Sequence, residues 1–324
     1  MKKILKKAVS IAMAVAIAIP VGMGTGESNF TGITAKADWL DAYSVTVTSF
    51  TTNSITISWE GDENADNYEI SYQDNSKPNS SYKVAGETTD TSYTITGLKS
   101  GNVYDICVKP RNAMGDEGFT YCYGAKTKIS SIRGLKQDTW YHYEKSTSVS
   151  WERLYAAGGY EYKWKSPSGK VLKKGTTTST SMSFKIKNNN VYQFTVRAYQ
   201  TVNGKKIYTP WKTIQVFEQP WVKSLSVKKT KKGKKYLSIG WYKQTGATGY
   251  DVYVAKKNKR NSYKKVKSVG KKTTKISLSK FNGKKISGKY YVYIISKVKD
   301  KNGTSKSGVT YIWETGKSGH RFLG

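Results

Sequence analysis

Three tryptophans at nearly equal spacing constrain this chain more than any other feature. Trp59, Trp151 and Trp241 stand 92 and 90 residues apart. Each closes a run in which every second residue points the same way: Ile55, Ile57, Trp59; Thr147, Val149, Trp151; Leu237, Ile239, Trp241. A period of two places such side chains on one face of a β-strand. Nine residues after each Trp comes a Tyr (Tyr68, Tyr160, Tyr250), with Ala three residues before it and Asn or Gly immediately before it. A second alternating run starts there: Tyr68, Ile70, Tyr72; Tyr160, Tyr162, Trp164; Tyr250, Val252, Val254. A third follows later: Tyr104, Ile106, Val108, Pro110; Tyr192, Phe194, Val196, Ala198; Tyr290, Val292, Ile294, Ser296. In the last unit, a register starting at Tyr291 would turn Lys297 inward, so Tyr290 sets the face. Gly-containing turns should close the hairpins at Met114-Gly115, Asn203-Gly204 and Asn302-Gly303. The chain therefore reads as three copies of one unit of short strands.

Short strands punctuated by turns, each burying one face, require a second sheet to pack against, which is an all-β sandwich. The early Trp, the Tyr nine residues on and the later Tyr-led run resemble the fibronectin type III family, over residues 41–315. The first unit is the most similar, down to Asn112 and Gly115; the second and third depart in loop length, and Pro220 opens the third. The resemblance implies a seven-stranded, immunoglobulin-like Greek-key sandwich with its termini at opposite ends. It places Trp59, Tyr68, Tyr104, Trp151, Tyr160, Tyr192, Trp241, Tyr250 and Tyr290 in the cores, with Tyr104, Tyr192 and Tyr290 at the tyrosine-corner position. The expected fold class is thus three tandem fibronectin-type-III-like β-sandwiches, at 38–127, 128–218 and 219–315, with a tail at 316–324. The joints, about 126–130 and 217–221, lack Gly/Ser-rich linkers, so a semi-rigid array is expected.

The N-terminus departs from this pattern. Lys2, Lys3, Lys6 and Lys7 precede an apolar run from Ala8 to Ile19 and then Pro20. That run is shorter than the ~20 residues a membrane span needs, and it reads as a signal peptide of Gram-positive type, residues 1–37. Ala35-Lys36-Ala37 supplies small residues at −3 and −1 for cleavage before Asp38. No Cys stands in this region to carry a lipid anchor. Export without a membrane span follows, giving a secreted, extracellular protein that is either released or held on the cell wall.

Nothing in the sequence assembles a catalytic constellation, so an enzyme is not expected, nor a cofactor or a metal. His142 and His320 stand far apart without evident partners, and there is no Cys/His spacing for zinc. The acidic loop 61–66 lacks the alternating ligands of a calcium loop and reads as a solvated turn. Cys107 and Cys122 lie symmetrically about Met114-Gly115. A hairpin in that register sets them opposite each other, so a cross-strand disulfide is expected in an exported protein.

Charge rises along the chain. Residues 41–127 hold 6 basic and 12 acidic side chains, residues 128–218 hold 16 and 5, and residues 219–315 hold 26 and 3. Such asymmetry bears on partners rather than on fold. In the third unit the lysines fall in two runs. One is Lys228, Lys229, Lys231, Lys232, Lys234 and Lys235, expected in the turn between the first two strands. The other is Lys256, Lys257, Lys259, Arg260, Lys264, Lys265, Lys267, Lys271 and Lys272, expected in the hairpin after the Tyr250 strand. They mark a polyanion-binding surface. Lys acts as a hydrated point charge, whereas Arg supplies the bidentate fork that reads bases, so a specific nucleic-acid reader is not expected. The expected partner is an anionic envelope polymer such as teichoic acid, or an acidic glycan. The acidic first unit would serve as a display module or pair with the basic end of another copy. The alternative function is an adhesin or polysaccharide binder that uses its loops and the aromatics Trp39, Trp140, Tyr141, Tyr143, Trp211, Trp221 and Trp313; these would otherwise pack the joints or cores.

Overall fold

A computed structural model describes residues 40–115, 117–301 and 303–322. The expected signal peptide, its cleavage site and Trp39 lie outside the described residues. No helix among the described residues is long and apolar enough to cross a membrane.

The first sandwich comprises β1 (Tyr43–Phe50), β2 (Ile55–Glu60), β3 (Asn67–Asp74), β4 (Lys83–Thr88), β5 (Ser92–Ile95), β6 (Val103–Arg111) and β7 (Thr120–Lys126). A three-stranded sheet, β1-β2-β5, faces a four-stranded one, β4-β3-β6-β7. The second comprises β8 (Lys136–Tyr141), β9 (Ser146–Ser150), β10 (Gly159–Lys165), β11 (Val171–Thr177), β12 (Ser181–Lys185), β13 (Tyr192–Val202), β14 (Lys205–Tyr208) and β15 (Lys212–Val216). The third comprises β16 (Val222–Lys229), β17 (Lys235–Trp241), β18 (Gly249–Ala255), β19 (Lys264–Gly270), β20 (Lys275–Leu278), β21 (Lys280–Phe281), β22 (Lys284–Lys285), β23 (Tyr291–Asp300), β24 (Gly303–Lys306), β25 (Tyr311–Glu314) and β26 (Arg321–Phe322). Sheets β8-β9-β12 and β16-β17-β20 repeat the first small sheet, and β11-β10-β13-β15 and β19-β18-β23-β25 repeat the larger one. Here the long central strands β13 and β23 also bend back as hairpins with β14 and β24. Asp300 pairs with Gly303, so Gly303 belongs to the returning strand rather than to the turn.

The repeating residues build the three cores as their period dictates. Each Trp meets its Tyr edge-on, at 5.2 Å (Trp59–Tyr68), 5.3 Å (Trp151–Tyr160) and 5.5 Å (Trp241–Tyr250) between ring centroids. This edge-to-face arrangement sets the positive rim of one ring on the negative face of the other. A buried phenol also needs a polar partner, and each finds one in the loop before it. Tyr68, Tyr160 and Tyr250 accept the backbone N–H of Asp62, Leu154 and Gln244, each six residues earlier. The later tyrosines form the corners: Lys99, Lys187 and Ser287 donate their N–H to the hydroxyls of Tyr104, Tyr192 and Tyr290. Along β23, Tyr291, Tyr293 and Lys297 are half-buried while Val292, Ile294 and Ser296 are buried with Tyr290, so the register beginning at Tyr290 holds.

The expected disulfide does not form, and a one-residue bulge is the reason. At the end of the β6–β7 ladder Tyr104 pairs with Ala125, but the next pair is Ile106 with Cys122, and Cys107 meets Tyr121. The extra residue lies at Tyr123–Gly124, opposite Asp105. Gly124 holds φ +73° and donates its N–H to the Asp105 carboxylate at 2.8 Å. A slip of one residue turns a side chain to the other face. Cys122 therefore packs against the core, while Cys107 lies on the outer face beneath Tyr121; both are free thiols. The expected tail differs too, because Arg321 and Phe322 pair with Ile312 and Tyr311 and so extend the third sandwich.

Buried glutamines tie the sandwiches together. At the first joint Gln200, 3% exposed, donates to Thr127 O and accepts the N–H of Ile129. Ala156 N–H reaches Gly101 O at 2.9 Å, and Arg133 reaches Ser100 O at 3.1 Å. At the second joint the Gln219 side chain accepts Thr310 N–H and Tyr311 N–H and donates to Tyr311 O. Gln244 donates to Glu218 O, and Val191 N–H bonds to Thr245 O.

Candidate functional site

Strand register decides where each lysine stands. Leu237 on β17 pairs with Leu278 on β20, which brings Lys235 level with Lys280. Ala255 on β18 pairs with Tyr291 on β23, which brings the loop starting at Lys256 beside Tyr290. The β16–β17 turn, the β18–β19 loop and the β21–β22 hairpin thus share one end of the third sandwich. Contacts across that end agree: Lys256 Nζ donates to Ser287 O and sits 3.6 Å from the Tyr290 ring centroid.

Of the lysines singled out from sequence, Lys228, Lys229, Lys231, Lys232, Lys234, Lys235, Lys256, Lys257, Lys259 and Arg260 meet at this end, all exposed. Lys264 and Lys265 begin β19 beside it. Lys267 lies midway along that strand, opposite Val252. Lys271 and Lys272 follow Gly270, which pairs with Gly249, and so stand at the opposite end. The structure adds Lys280, Lys284, Lys285 and Lys289, which are exposed on the β21–β22 hairpin and just after it. The sequence did carry a sign of that hairpin in Asn282-Gly283, whose φ values of +51° and +77° suit a tight two-residue turn.

Only one carboxylate of this sandwich, Glu314, pairs with a lysine of this face, Lys289. Asp251 is buried and held by Lys297 (2.7 Å) and Ser268 (2.6 Å); burial alone would raise its pKa, but these donors bring it below the usual range. Glu314 is buried against Lys289 (3.5 Å) and Arg321 (3.3 Å). Asp300 accepts Gln215 Nε2 across the second joint.

That joint corrects the sequence reading of the histidines, which are neither far apart nor unpartnered. His142 stacks on Trp221 at 3.8 Å, and His320 meets the same indole edge-on at 4.9 Å. Asn188 Nδ2 donates to both His142 O and Nε2, so Nδ1 carries the proton and donates it to Glu218 Oε1 at 2.8 Å. Burial pushes the Glu218 carboxyl up to about 8, opposed by the Trp221 and Trp140 indole N–H groups that lie toward it. Those indoles fall short of hydrogen-bond geometry, so Glu218 Oε2 is buried without a partner. His142 is pushed down by burial and by His320. The cluster arises from segments up to 178 residues apart (His142 and His320), which no local pattern could reveal.

The remaining aromatics divide between packing and surface. Trp140 packs on Tyr192, Trp221 on His142, and Trp313 is buried; Trp211 lies under Lys163 and Arg197. Tyr141 and Tyr143 are exposed. A polar cleft of about 680 Å³ opens at the second joint, with Trp140 and Tyr311 in its wall. Among the described residues, no group of three or more His, Cys, Asp or Glu side chains could hold a metal ion.

Residues 42–121 match the sequence profile of the fibronectin type III domain. The first sandwich is a fibronectin type III domain. The other two repeat its sheet order, its Trp–Tyr core and its tyrosine corner, so the chain is a tandem array of fibronectin-type-III-like sandwiches. Among solved structures it is similar to the FN1–FN3 domains of chicken CNTN1, at 15% identity over 84% of this chain and 97% of that one, with a TM-score of 0.34. It is also similar to a segment of two fibronectin type III domains from chicken tenascin, at 16% identity over 54% and 98%, with a TM-score of 0.30. No curated protein matches the chain. Fibronectin type III domains generally serve as non-catalytic binding or spacer modules.

Proposed function

We propose that this chain is an exported, non-catalytic binding and spacer array, held on an anionic envelope polymer by the basic end of its third sandwich. One observation carries the reading: three loops distant in sequence bring fourteen cationic side chains to one end, and the carboxylates of that sandwich are turned inward or paired. So dense a field, offset only where Glu314 meets Lys289, attracts a flexible polyanion by releasing its counterions. Lysine point charges suit a polymer of spaced phosphates, such as teichoic acid, which needs no fixed register. The first two sandwiches then act as the arm that projects from the anchor.

The test is sedimentation of the exported chain, Asp38–Gly324, with bacterial walls across a salt series, beside walls stripped of teichoic acid. Binding should fall at least about tenfold between 50 and 300 mM salt and be lost on stripped walls. Salt-independent binding that survives stripping would move the site to the aromatics and the joint cleft.

A further inference from the structure

The first sandwich carries the electrostatic opposite of the basic end, and on the opposite side of the array. Its β2–β3 loop, its β4–β5 turn and the start of β1 converge at one end. There Trp59 N–H bonds to Thr91 O, Asp41 N–H to the Asp62 carboxylate, and Ala113 N–H to the Asp66 carboxylate. This end presents Asp41, Glu60, Asp62, Glu63, Asp66 and Asp90, of which Glu60, Glu63, Asp66 and Asp90 are exposed. None of the six forms an ion pair among the described residues. The nearby cation Arg111 is already engaged by Glu69 (2.7 Å) and Glu87 (3.3 Å). The middle sandwich touches the first through Ser100 and Gly101, at the other end of that sandwich. It touches the third through Gln244 and Thr245, at the end away from the lysine-rich loops. Within one chain, the acidic and basic ends are therefore separated by the middle sandwich and both stay uncovered by it.

We propose that the acidic end of the first sandwich docks on the basic end of the third sandwich of a second copy. The contact is heterologous, since the two surfaces differ, and the docked pair keeps one unused end of each kind. Such contacts propagate into open head-to-tail chains rather than closing as a dimer. Being carried by exposed charges, the association is weak and salt-sensitive, with a screening length of about 10 Å at 0.1 M salt. A polyanion competes with it for the basic end but not for the acidic one. On an anionic surface, occupied basic ends stop chain growth, whereas in solution the free ends join. This inference does not rest on the wall-binding reading, and either can fail alone.

The test uses sedimentation velocity on the exported chain and two charge-reversed variants. The acidic-end variant combines Glu60→Lys, Glu63→Lys, Asp66→Lys and Asp90→Lys. The basic-end variant combines Lys231→Glu, Lys232→Glu, Lys284→Glu and Lys285→Glu. The unaltered chain should grow with concentration past the dimer at 25 mM salt and be monomeric at 500 mM. Each variant alone should stay monomeric at 25 mM, and mixing the two should rescue association as far as a one-to-one dimer and no further, because the intact basic end of one docks on the intact acidic end of the other and both remaining ends are altered. That rescue also shows that both variants fold. An unaltered chain that stays monomeric at low salt and high concentration would overturn the proposal, as would an acidic-end variant that associates like the parent or a mixture without rescue. The acidic-end variant keeps its lysine face and should still bind teichoic acid.

Discussion

Replacing Glu218 by Gln keeps the shape of a buried carboxyl while removing its ability to ionise. Glu218 is 5% exposed in its side chain, accepts the Nδ1–H of His142, and is pushed by burial up to about 8 from an ordinary 4.5. Between those values the folded protein holds a proton that the unfolded chain releases. The unfolding free energy therefore falls as pH rises through this window and levels off above it. At about 1.4 kcal/mol per pH unit, the 3.5-unit span bounds the loss at about 5 kcal/mol. Other titrating groups near the carboxyl are His142, His320, Tyr143, Glu144 and Tyr311, the last with its phenol raised first by burial and then by the Glu218 charge. His142 works in the opposite direction and below its ordinary 6.5, because its folded pKa is depressed. The assay is urea unfolding of residues 38–324 from pH 5 to 9, followed by tryptophan fluorescence, which Trp140 and Trp221 report at this joint. E218Q should match the parent within about 1 kcal/mol at pH 5 and exceed it by several kcal/mol at pH 9. Parallel curves for the two proteins would refute the argument that this carboxyl is held protonated.

Other consequences follow from particular contacts. Both cysteines should react with a thiol reagent in denatured, unreduced protein, and Tyr121→Ala should speed alkylation of Cys107 in the native state by uncovering it; a mass change on reduction would show a disulfide instead. Gly124→Val should cost about 1–2 kcal/mol, because a β-branched residue cannot take φ +73° without strain, whereas Gly124→Asn should cost less; equal melting temperatures would contradict the bulge. Gln200→Ala should release the Ile129 amide and Thr127 carbonyl at the first joint, costing about 1–3 kcal/mol and accelerating hydrogen exchange at Ile129. Trp241→Ala should cost about 3–5 kcal/mol through the cavity it leaves.

The sandwiches were legible because a period-two pattern states which face is buried, and because it recurred three times with Trp and Tyr at fixed spacing. Tyr104, Tyr192 and Tyr290 reached their corners because the chain must satisfy each buried hydroxyl locally, with an N–H three to five residues before it. The cysteine pairing failed because symmetry about a turn assumes an unbroken ladder. Gly124, a lone glycine inside a strand, was the sign of the bulge that broke it. The lysine face was half legible. Runs in sequence found the β16–β17 turn and the β18–β19 loop, but they also drew in Lys271 and Lys272, which one strand length carries to the far end. Lys280, Lys284 and Lys285 joined the face only through the pairing of β17 with β20. The His142–Glu218–Trp221–His320 cluster had no local signal, because its members meet only after two sandwiches dock.

Neutralising the two ends of the third sandwich separately tests the central claim most directly. One variant carries Lys231→Gln, Lys232→Gln, Lys284→Gln and Lys285→Gln; the control carries Lys271→Gln, Lys272→Gln, Lys243→Gln and Lys301→Gln, which removes equal charge at the other end. Binding of both to teichoic acid is measured at 100 mM salt by titration calorimetry. The account predicts that the first variant loses at least about tenfold in affinity while the control stays within about twofold of the parent. Equal losses in both would show that net charge alone draws the polymer and that the convergent face is not a site.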